Sequence, residues 1–449
     1  MRICAYVQQS YTKQTYKKEC MDTRQFVGLR VIIDCLERAG YTVEFAGMDT
    51  VHRYDLILVS LTSDCDWWPY VQERTQWQRG NYKVIIGGAG LLHITPFLPF
   101  ADYFMFGRGE DLIVPLVRGI ERDGGFAHES IAFRGAFSPD GIYQIAQARA
   151  PYPHRIRLSE RRSFCEGPIG CNHKCLFCGY TWHRRFCSEY DHYQMEDSLF
   201  GPVADRERAM LDLHDNPESI DFAHLRTTAI DGMSERLRRM VGKPITREIM
   251  LEFLRAMITY RGAPHQLKFY NIVGYPTETE SDWVEFVDTL AEADGDAPQR
   301  EKQWSIVLHS TPFRPMPATP LACAPMSYRN YRGQIGKTLG PQLKGNLIYQ
   351  GRSLWAVESM GTESLSTVFL SAIAHRGAES DTENIIRLCR TRKFWSAPSP
   401  VRLATLEKSF DASRLFGAFT ADTLPSRYLR TYAKVEKMWP IKEVTADAR

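Results

Sequence analysis

Short apolar runs alternate with longer amphipathic segments over the first 125 residues. Residues 2–7, 41–46, 54–61, 82–86 and 101–106 are predicted strands. Residues 23–39 and 111–122 carry apolar positions at helical spacing and predict helices. Strands that alternate with helices favour a parallel sheet covered on both faces, with ligand sites at the carboxyl ends of its strands. We therefore predict an α/β chain whose first domain, residues 1–125, is doubly wound and Rossmann-like.

The pattern changes after this domain. Residues 130–148 alternate and are split by Pro139-Asp140-Gly141, which predicts a hairpin turn within a linker over residues 126–162. A strand over residues 155–164 is followed by a strand and the turn into its helix within residues 227–238, and by strands at 268–273 and 304–309. This order is typical of a full or partial α/β barrel, here residues 163–325. The remainder, residues 326–449, is predicted to be mostly helical.

Composition sets broad limits on function. The 449 residues are 44% hydrophobic and 24% charged, which is typical of a folded globular protein. No apolar run is long enough for a membrane span and the N-terminus is too polar for a secretion signal, so we expect a cytoplasmic protein without membrane association. The net charge of +3 does not by itself indicate nucleic-acid binding. Basic runs at 154–162, 236–247 and 387–393 fit either salt-bridged surface or phosphate contact.

The most informative motif is a tight group of cysteines. Cys171, Cys175 and Cys178 form a C-x3-C-x2-C loop, which can bind three irons of a [4Fe-4S] cluster and leave the fourth iron open. The alternative is a tetrahedral zinc site with His173, His183, Cys165 or Cys187 as the fourth ligand. The spacing favours the iron–sulfur cluster. The other cysteines are scattered and indicate reduced thiols.

This loop, with Phe177 before its last cysteine, resembles the cluster loop of the radical S-adenosylmethionine (radical SAM) superfamily. Residues 227–238, the run Gly274-Tyr275-Pro276-Thr277-Glu278-Thr279 and the Pro-rich segment 311–321 are similar to later landmarks of that family, in the same order. The family's Gly-Gly-Glu after the second strand is absent.

The resemblance implies a partial (β/α)6 barrel that binds a [4Fe-4S] cluster through the three cysteines and S-adenosyl-L-methionine beside it. Phe177 would pack near the adenine. The backbone of Gly179, and the turn that contains Gly274 and Pro276, would approach the nucleoside. Asp231, Glu235 and Ser310 would contact the ribose or the methionyl group, with helix capping and surface pairing as the alternative roles.

The first domain resembles the cobalamin-binding domain that precedes many radical SAM barrels. The resemblance is carried by Gly87-Gly88-Ala89-Gly90 after one predicted strand and by residues 101–110 after the next. The lower-ligand signature Asp-x-His-x-x-Gly is absent. Cobalamin binding and a scaffold without the corrin therefore both stay open, and the glycines also fit a tight strand-to-helix turn.

The function implied by these resemblances is reductive cleavage of S-adenosylmethionine to a 5'-deoxyadenosyl radical that modifies or isomerises carbon in a substrate. A weaker similarity, carried by the general pattern and the basic runs, is to phage-encoded radical SAM enzymes that isomerise a modified thymine base in DNA. An external flavodoxin- or ferredoxin-like electron donor is implied as partner. The alternatives are a cobalamin-dependent methyltransferase, a methylthiotransferase, and a zinc-stapled, non-enzymatic regulator with a nucleotide-binding sheet.

Overall fold

A computed structural model gives the architecture of the chain. It describes residues 1–6, 8, 27–61, 66–88, 90–91, 94–123, 125–128, 131–133, 155–159, 162–165, 175–178, 209–223, 225, 227–260, 266–295, 304–316, 319–321, 324 and 355–360. Within these ranges, no helix combines the length and the apolar character needed to cross a bilayer.

The N-terminal unit is built on one six-stranded sheet. Its strands are β1 (Ile3–Tyr6), β2 (Val43–Ala46), β3 (Leu56–Ser60), β4 (Lys83–Gly87), β5 (Tyr103–Met105) and β6 (Ile131–Phe133), in the spatial order β2-β1-β3-β4-β5-β6. Strands β1 to β5 are parallel, as predicted, and β6 joins the edge antiparallel to β5. The sheet thus includes residues 131–133, which the sequence analysis assigns to the hairpin and linker.

Helices cover both faces of this sheet. Helices α1 (Val27–Arg38) and α3 (Glu110–Asp123) pack on one face, while α2 (Trp67–Arg74) and the 3-10 helix Thr95–Phe100 pack on the other. The separation follows from strand alternation, because successive side chains of a strand point to opposite faces. The second face is rich in aromatic residues, and the rings of Trp67 and Phe97 stack with centroids 3.9 Å apart. The predicted doubly wound arrangement is confirmed for this unit.

Two short strands follow, β7 (Arg155–Ser159) and β8 (Arg162–Cys165), which pair antiparallel. The single strand predicted over residues 155–164 is therefore wrong. The run is interrupted by Glu160 and Arg161, where charged residues replace the alternating apolar positions.

A second, four-stranded parallel sheet has the order β12-β11-β10-β9. Its strands are β9 (Thr227–Ala229), β10 (Gln266–Val273), β11 (Trp304–Pro312) and β12 (Trp355–Met360), and the accompanying helices are α4 (Ala209–Asp215), α5 (Glu235–Met240), α6 (Arg247–Thr259) and α7 (Glu280–Gly295). Strands β9, β10 and β11 fall within residues 163–325, where the barrel is predicted, whereas β12 lies beyond that range.

Strand β12 is the one described segment of residues 326–449, a region that the sequence predicts to be mostly helical. Trp355 to Met360 pair in register with Trp304 to His309 of β11. This pairing gives β11 a hydrogen-bonded neighbour on both sides, since β10 lies on the other. Local pattern does not reveal such a strand, because its stability comes from a partner about 50 residues earlier in the chain.

One face of this second sheet packs on helices. Leu267, Phe269 and Val273 of β10, with Ile306 and Leu308 of β11, belong to a core shared with α6 and α7. The intervening residues of these strands occupy the opposite face. We call it the interior face, because it would line the interior of the predicted barrel.

Candidate functional site

The turn that carries two of the predicted ligands is fixed to its surroundings by backbone hydrogen bonds. The N–H of Leu176 donates to the carbonyl of Val241 (2.8 Å), and the N–H of Leu321 donates to the carbonyl of Leu176 (3.1 Å). The turn itself closes when the N–H of Cys178 donates to the carbonyl of Cys175 (3.2 Å). The chain thus presents two cysteines from one anchored turn, and Cys175 is buried.

Cys175 lies beside the carboxyl edge of the second sheet. Tyr275 follows the end of β10. The pKa of its phenol lies well above the usual value, first because the ring is buried and then because of the nearby charges of Asp231, Glu278 and Cys175. The Tyr275 hydroxyl donates to the backbone carbonyl of Asp231 (2.9 Å). Residues after β9, residues after β10 and the cysteine turn therefore meet at this edge, where α/β proteins hold their ligands.

The donor set of this turn suits a metal cluster. Two cysteine thiols three positions apart are soft ligands that bind iron or zinc. The third predicted ligand, Cys171, and the predicted contact Gly179 lie outside the described residues. Within those residues, no group of three or more His, Cys, Asp or Glu side chains is arranged to bind a metal ion.

The predicted glycine turn after β10 is a closed, hydrogen-bonded structure. Gly274 has φ +86°, a conformation that favours glycine. The N–H groups of Gly274 and Tyr275 both donate to Oε2 of Glu278, at 3.1 Å for Tyr275. Burial raises the pKa of Glu278 to about 7, although these two hydrogen bonds act in the opposite direction. Pro276 is half-buried within the same turn.

Asp231 stands at the end of β9 with φ +50°. Its carboxylate forms an ion pair with the ammonium group of Lys243, and both side chains are largely buried. The predicted contact with the ribose or the methionyl group would have to form next to this pair.

Glu235 is engaged within the protein. Its carboxylate accepts a hydrogen bond from the N–H of Arg247 (2.9 Å) and pairs with Arg239. The Arg247 hydrogen bond is the main reason why the pKa of Glu235 lies below its usual value. These contacts match the alternative role of surface pairing, and its role toward a cofactor stays a prediction.

Ser310 lies on the helix-packed face of β11. It pairs in register with Asn271 of β10, and each side chain is 1% exposed. Neither amide atom of Asn271 has a hydrogen-bond partner among the described residues. Ser310 thus lies on the face opposite to the interior face, and its contact with the ribose or the methionyl group stays a prediction.

The sequence analysis missed a polar group on the interior face. Lys268, Tyr270 and His309 are half-buried there, with the Lys268 ammonium 3.2 Å from the Tyr270 hydroxyl and the Tyr270 and His309 ring centroids 5.3 Å apart. Burial, followed by the charge of Lys268, lowers the pKa of His309, so its imidazole is neutral at pH 7. The available signal was a lysine and a tyrosine alternating with Leu267 and Phe269 in a strand predicted to be buried.

The basic run at 236–247 is neutralised internally. Arg236 pairs with Asp282, Arg239 with Glu235, Lys243 with Asp231 and Arg247 with Glu292. Arg238 is buried and donates to three backbone carbonyl groups. The structure thus favours salt-bridged surface over phosphate contact for this run, while the runs at 154–162 and 387–393 lie largely or wholly outside the described residues.

Glycine at the carboxyl edge of the N-terminal sheet is required by packing. Gly88 follows β4 with φ +109°, and a Cβ atom there would lie 2.2 Å from the carbonyl oxygen of Leu61. This close approach supports the tight-turn interpretation of the Gly87-Gly88-Ala89-Gly90 run. Residues 9–26 and 62–65, which come after β1 and β3 in the sequence, lie outside the described residues.

No protein-family model and no curated protein matches the chain. Among solved structures, two of the cobalamin-dependent S-adenosylmethionine radical enzyme OxsB align with it, one with aqua-cobalamin and S-adenosylmethionine bound and one with aqua-cobalamin bound. Each alignment covers 97% of this chain and 61% of the OxsB chain at 10% identity, with TM-scores of 0.27 and 0.26. The chain thus spans less than two thirds of OxsB, and TM-scores this low do not establish a common fold.

Proposed function

We propose that this chain is a radical SAM enzyme that acts on carbon in its substrate. The observation that carries the proposal is the C-x3-C-x2-C loop, two of whose cysteines sit on a turn anchored beside the carboxyl edge of a parallel sheet. A structural zinc site in a regulator would use the same thiols, but it would not require them to lie at the carboxyl edge of a parallel sheet.

Cys175 and Cys178, with Cys171, would bind the [4Fe-4S] cluster as thiolates. Bound there, the cluster would supply the low-potential electron for reductive cleavage of S-adenosylmethionine. Phe177 lies between Leu176 and Cys178 on the anchored turn and keeps part of its ring exposed, which suits packing against an adenine.

The turn that contains Gly274 and Pro276 would hold the nucleoside by its shape. Its two N–H groups are already used by Glu278, so the turn offers a rigid surface without a side chain at Gly274. The hydrogen bond from Tyr275 to Asp231 ties it to the end of β9. A site fixed in this way needs little rearrangement when a ligand binds.

The interior face would meet the substrate. Neutral His309 can accept or donate a proton at its ring nitrogens, and Nδ1 is buried without a partner among the described residues. Lys268 and Tyr270 place an ammonium and a hydroxyl group beside it. These residues would bind and orient polar groups of the substrate.

The proposal is tested by purifying the protein without oxygen, reducing it and incubating it with S-adenosylmethionine. We expect 5'-deoxyadenosine, and we expect none from Cys178→Ala. Cys4→Ala is the matched control, because Cys4 lies in β1 of the other sheet and should leave the reaction intact. Zinc at the loop and no nucleoside product would establish the regulator instead.

A cobalamin-dependent methyltransferase is the second candidate, favoured by the doubly wound N-terminal sheet. Adding cobalamin separates the two: a corrin that stays bound through gel filtration supports methyl transfer. Deoxyadenosine formed without bound corrin supports rearrangement, for which a modified thymine base in DNA is the substrate to try first.

A further inference from the structure

A pocket of about 540 Å³ lies on the N-terminal unit, at the sheet edge opposite to the glycine run. It is lined by Lys83, the first residue of β4, by Asp102, which immediately precedes β5, and by the segment that follows α2. Its volume falls within the range of small-molecule sites. Because it lies at the amino ends of the strands, it is separate from the edge where a Rossmann-like sheet holds its ligand.

The pocket carries more positive than negative charge. Three cationic side chains, Arg74, Arg79 and Lys83, line it with one carboxylate, Asp102. Asp102 is already engaged, because it pairs with Lys83 at 3.0 Å and accepts the N–H of Val84 at 2.9 Å. Neither Arg74 nor Arg79 has a carboxylate partner among the residues that the structure describes.

Arg74 is held in place by aromatic rings. Its guanidinium group lies 5.0 Å from the ring centroid of Trp77 and 5.4 Å from that of Tyr82, and it donates to the Tyr82 hydroxyl at 3.4 Å. Its Nε is buried without a hydrogen-bond partner among the described residues. A planar guanidinium fixed in this way keeps its fork of donors oriented, which suits a phosphate group.

The other wall of the pocket is apolar. Leu98, Pro99 and Ala101 line it, and the half-buried ring of Tyr82 borders it. Gly80 allows that ring to approach the backbone, since a Cβ atom at this position would come within 2.8 Å of it. Two arginines that have no acidic partner among the described residues lie beside an aromatic and apolar wall, which matches a ligand that combines phosphate with a planar ring.

We propose that this pocket binds a nucleotide, with the phosphate on Arg74 and Arg79 and the base against Tyr82 and Pro99. The ligand is either a free nucleotide or one unit of a nucleic-acid strand. This site does not depend on the cysteine loop, so it stands or falls separately from the proposed radical chemistry.

The test is calorimetric titration of the full chain, kept without oxygen, with adenosine 5'-monophosphate, ribose 5-phosphate and a single-stranded oligothymidylate. Adenosine 5'-monophosphate is expected to bind more tightly than ribose 5-phosphate, and its affinity should fall as the salt concentration is raised. Arg79→Gln removes an exposed guanidinium and should weaken binding roughly tenfold or more.

The matched control is Arg122→Gln, an exposed arginine of α3 on the other face of the sheet, which should leave the affinity unchanged. The pocket assignment is overturned if adenosine 5'-monophosphate does not bind saturably, or if Arg79→Gln and Arg122→Gln bind it equally. Equal affinity for ribose 5-phosphate would refute the base contact. If the oligothymidylate displaces the mononucleotide, the site binds a nucleic-acid strand. If it does not, the site binds a free nucleotide.

Discussion

Glu278 closes the turn after β10 and gives this edge of the sheet a titratable group. Burial raises its pKa from 4.5 to about 7. A carboxyl group with a raised pKa binds a proton more tightly in the folded state, so its stabilising effect is complete below pH 4.5 and is lost as the pH rises through about 7. The contribution of Glu278 to the free energy of unfolding should therefore be larger in acidic solution than at neutral pH.

We predict that Glu278→Gln flattens this pH dependence. Between pH 5 and pH 8 the natural protein should lose about 1–2 kcal/mol of stability through this group, once its partial exposure is allowed for. The amide keeps an acceptor for the two N–H groups but does not titrate. Thermal unfolding midpoints across this range measure the effect, with exposed Glu248→Gln as control. An unchanged slope in Glu278→Gln would show that another group is responsible.

Arg238 and Arg239 are neighbours in α5 with opposite environments. Arg238 is 1% exposed and donates to the carbonyl groups of Gly232, Met233 and Ile245, whereas the Arg239 side chain is 76% exposed. Burial lowers the pKa of Arg238 to about 10, which leaves it charged at pH 7.

We expect Arg238→Gln to destabilise the protein by roughly 3–5 kcal/mol, because it leaves buried carbonyl groups without donors. Arg239→Gln should change stability by less than about 1 kcal/mol, since it removes only an exposed ion pair. Denaturant unfolding of both variants makes the comparison. Similar losses in the two would contradict the buried arrangement of Arg238.

For individual residues, the sequence predicts which of them lie close together more successfully than it predicts the contacts that each one makes. Cys175, Asp231 and Gly274 do come to one edge of the sheet. Three features could not be predicted from the sequence: the ion pair of Asp231 with Lys243, the hydrogen bond from Arg247 to Glu235, and the face of the sheet on which Ser310 lies. The first two depend on partners that are brought together by folding, and the third depends on the register of β11.

At the scale of elements, the helices after β9 begin at well-formed caps. The Ser234 side chain accepts the N–H of Leu237 at the start of α5, and Thr246 accepts the N–H of Ile249 at the start of α6. Ser234 also donates to Asp282, which Arg236 and Thr279 contact as well. Its hydroxyl therefore links two elements, whereas Thr246 serves one.

We predict that Ser234→Ala destabilises by about 1–2 kcal/mol and Thr246→Ala by about 1 kcal/mol, as expected for lost caps. Thr246→Ser keeps the acceptor and should stay close to the natural protein. Equilibrium unfolding of the three variants provides the check. A smaller loss for Ser234→Ala than for Thr246→Ala would argue against the link to Asp282.

Strong local patterns predicted most elements, and long-range pairing accounts for the exceptions. The alternating strands and helices of the first unit are visible in the sequence because each strand is a buried apolar run. Strand β12 and the β7–β8 hairpin were missed, since both are defined by pairing partners and not by local periodicity.

In the molecule as a whole, the hydrophobic cores formed by the described residues are separate. The two cores of the N-terminal sheet contain only residues between 3 and 132, and the core of the second sheet contains only residues between 209 and 308. The six strands of the first sheet pair only with one another among the described residues.

We therefore predict that residues 1–133 fold alone as a soluble, iron-free unit. Cooperative thermal unfolding and near-ultraviolet circular dichroism of this fragment are the measurements. A fragment without fixed aromatic signals would mean that residues 1–133 depend on the rest of the chain. Nucleotide binding by the folded fragment would also place the proposed pocket within it.

The proposed function requires that the thiolates of Cys171, Cys175 and Cys178 bind an iron–sulfur cluster. The most direct measurement is the iron and acid-labile sulfide content of protein purified without oxygen, compared between the natural chain, Cys175→Ala and Cys35→Ala. We expect about four irons per chain in the natural protein and in Cys35→Ala, and a loss of most iron in Cys175→Ala. Zinc in place of iron, or an iron content that Cys175→Ala does not change, would contradict it.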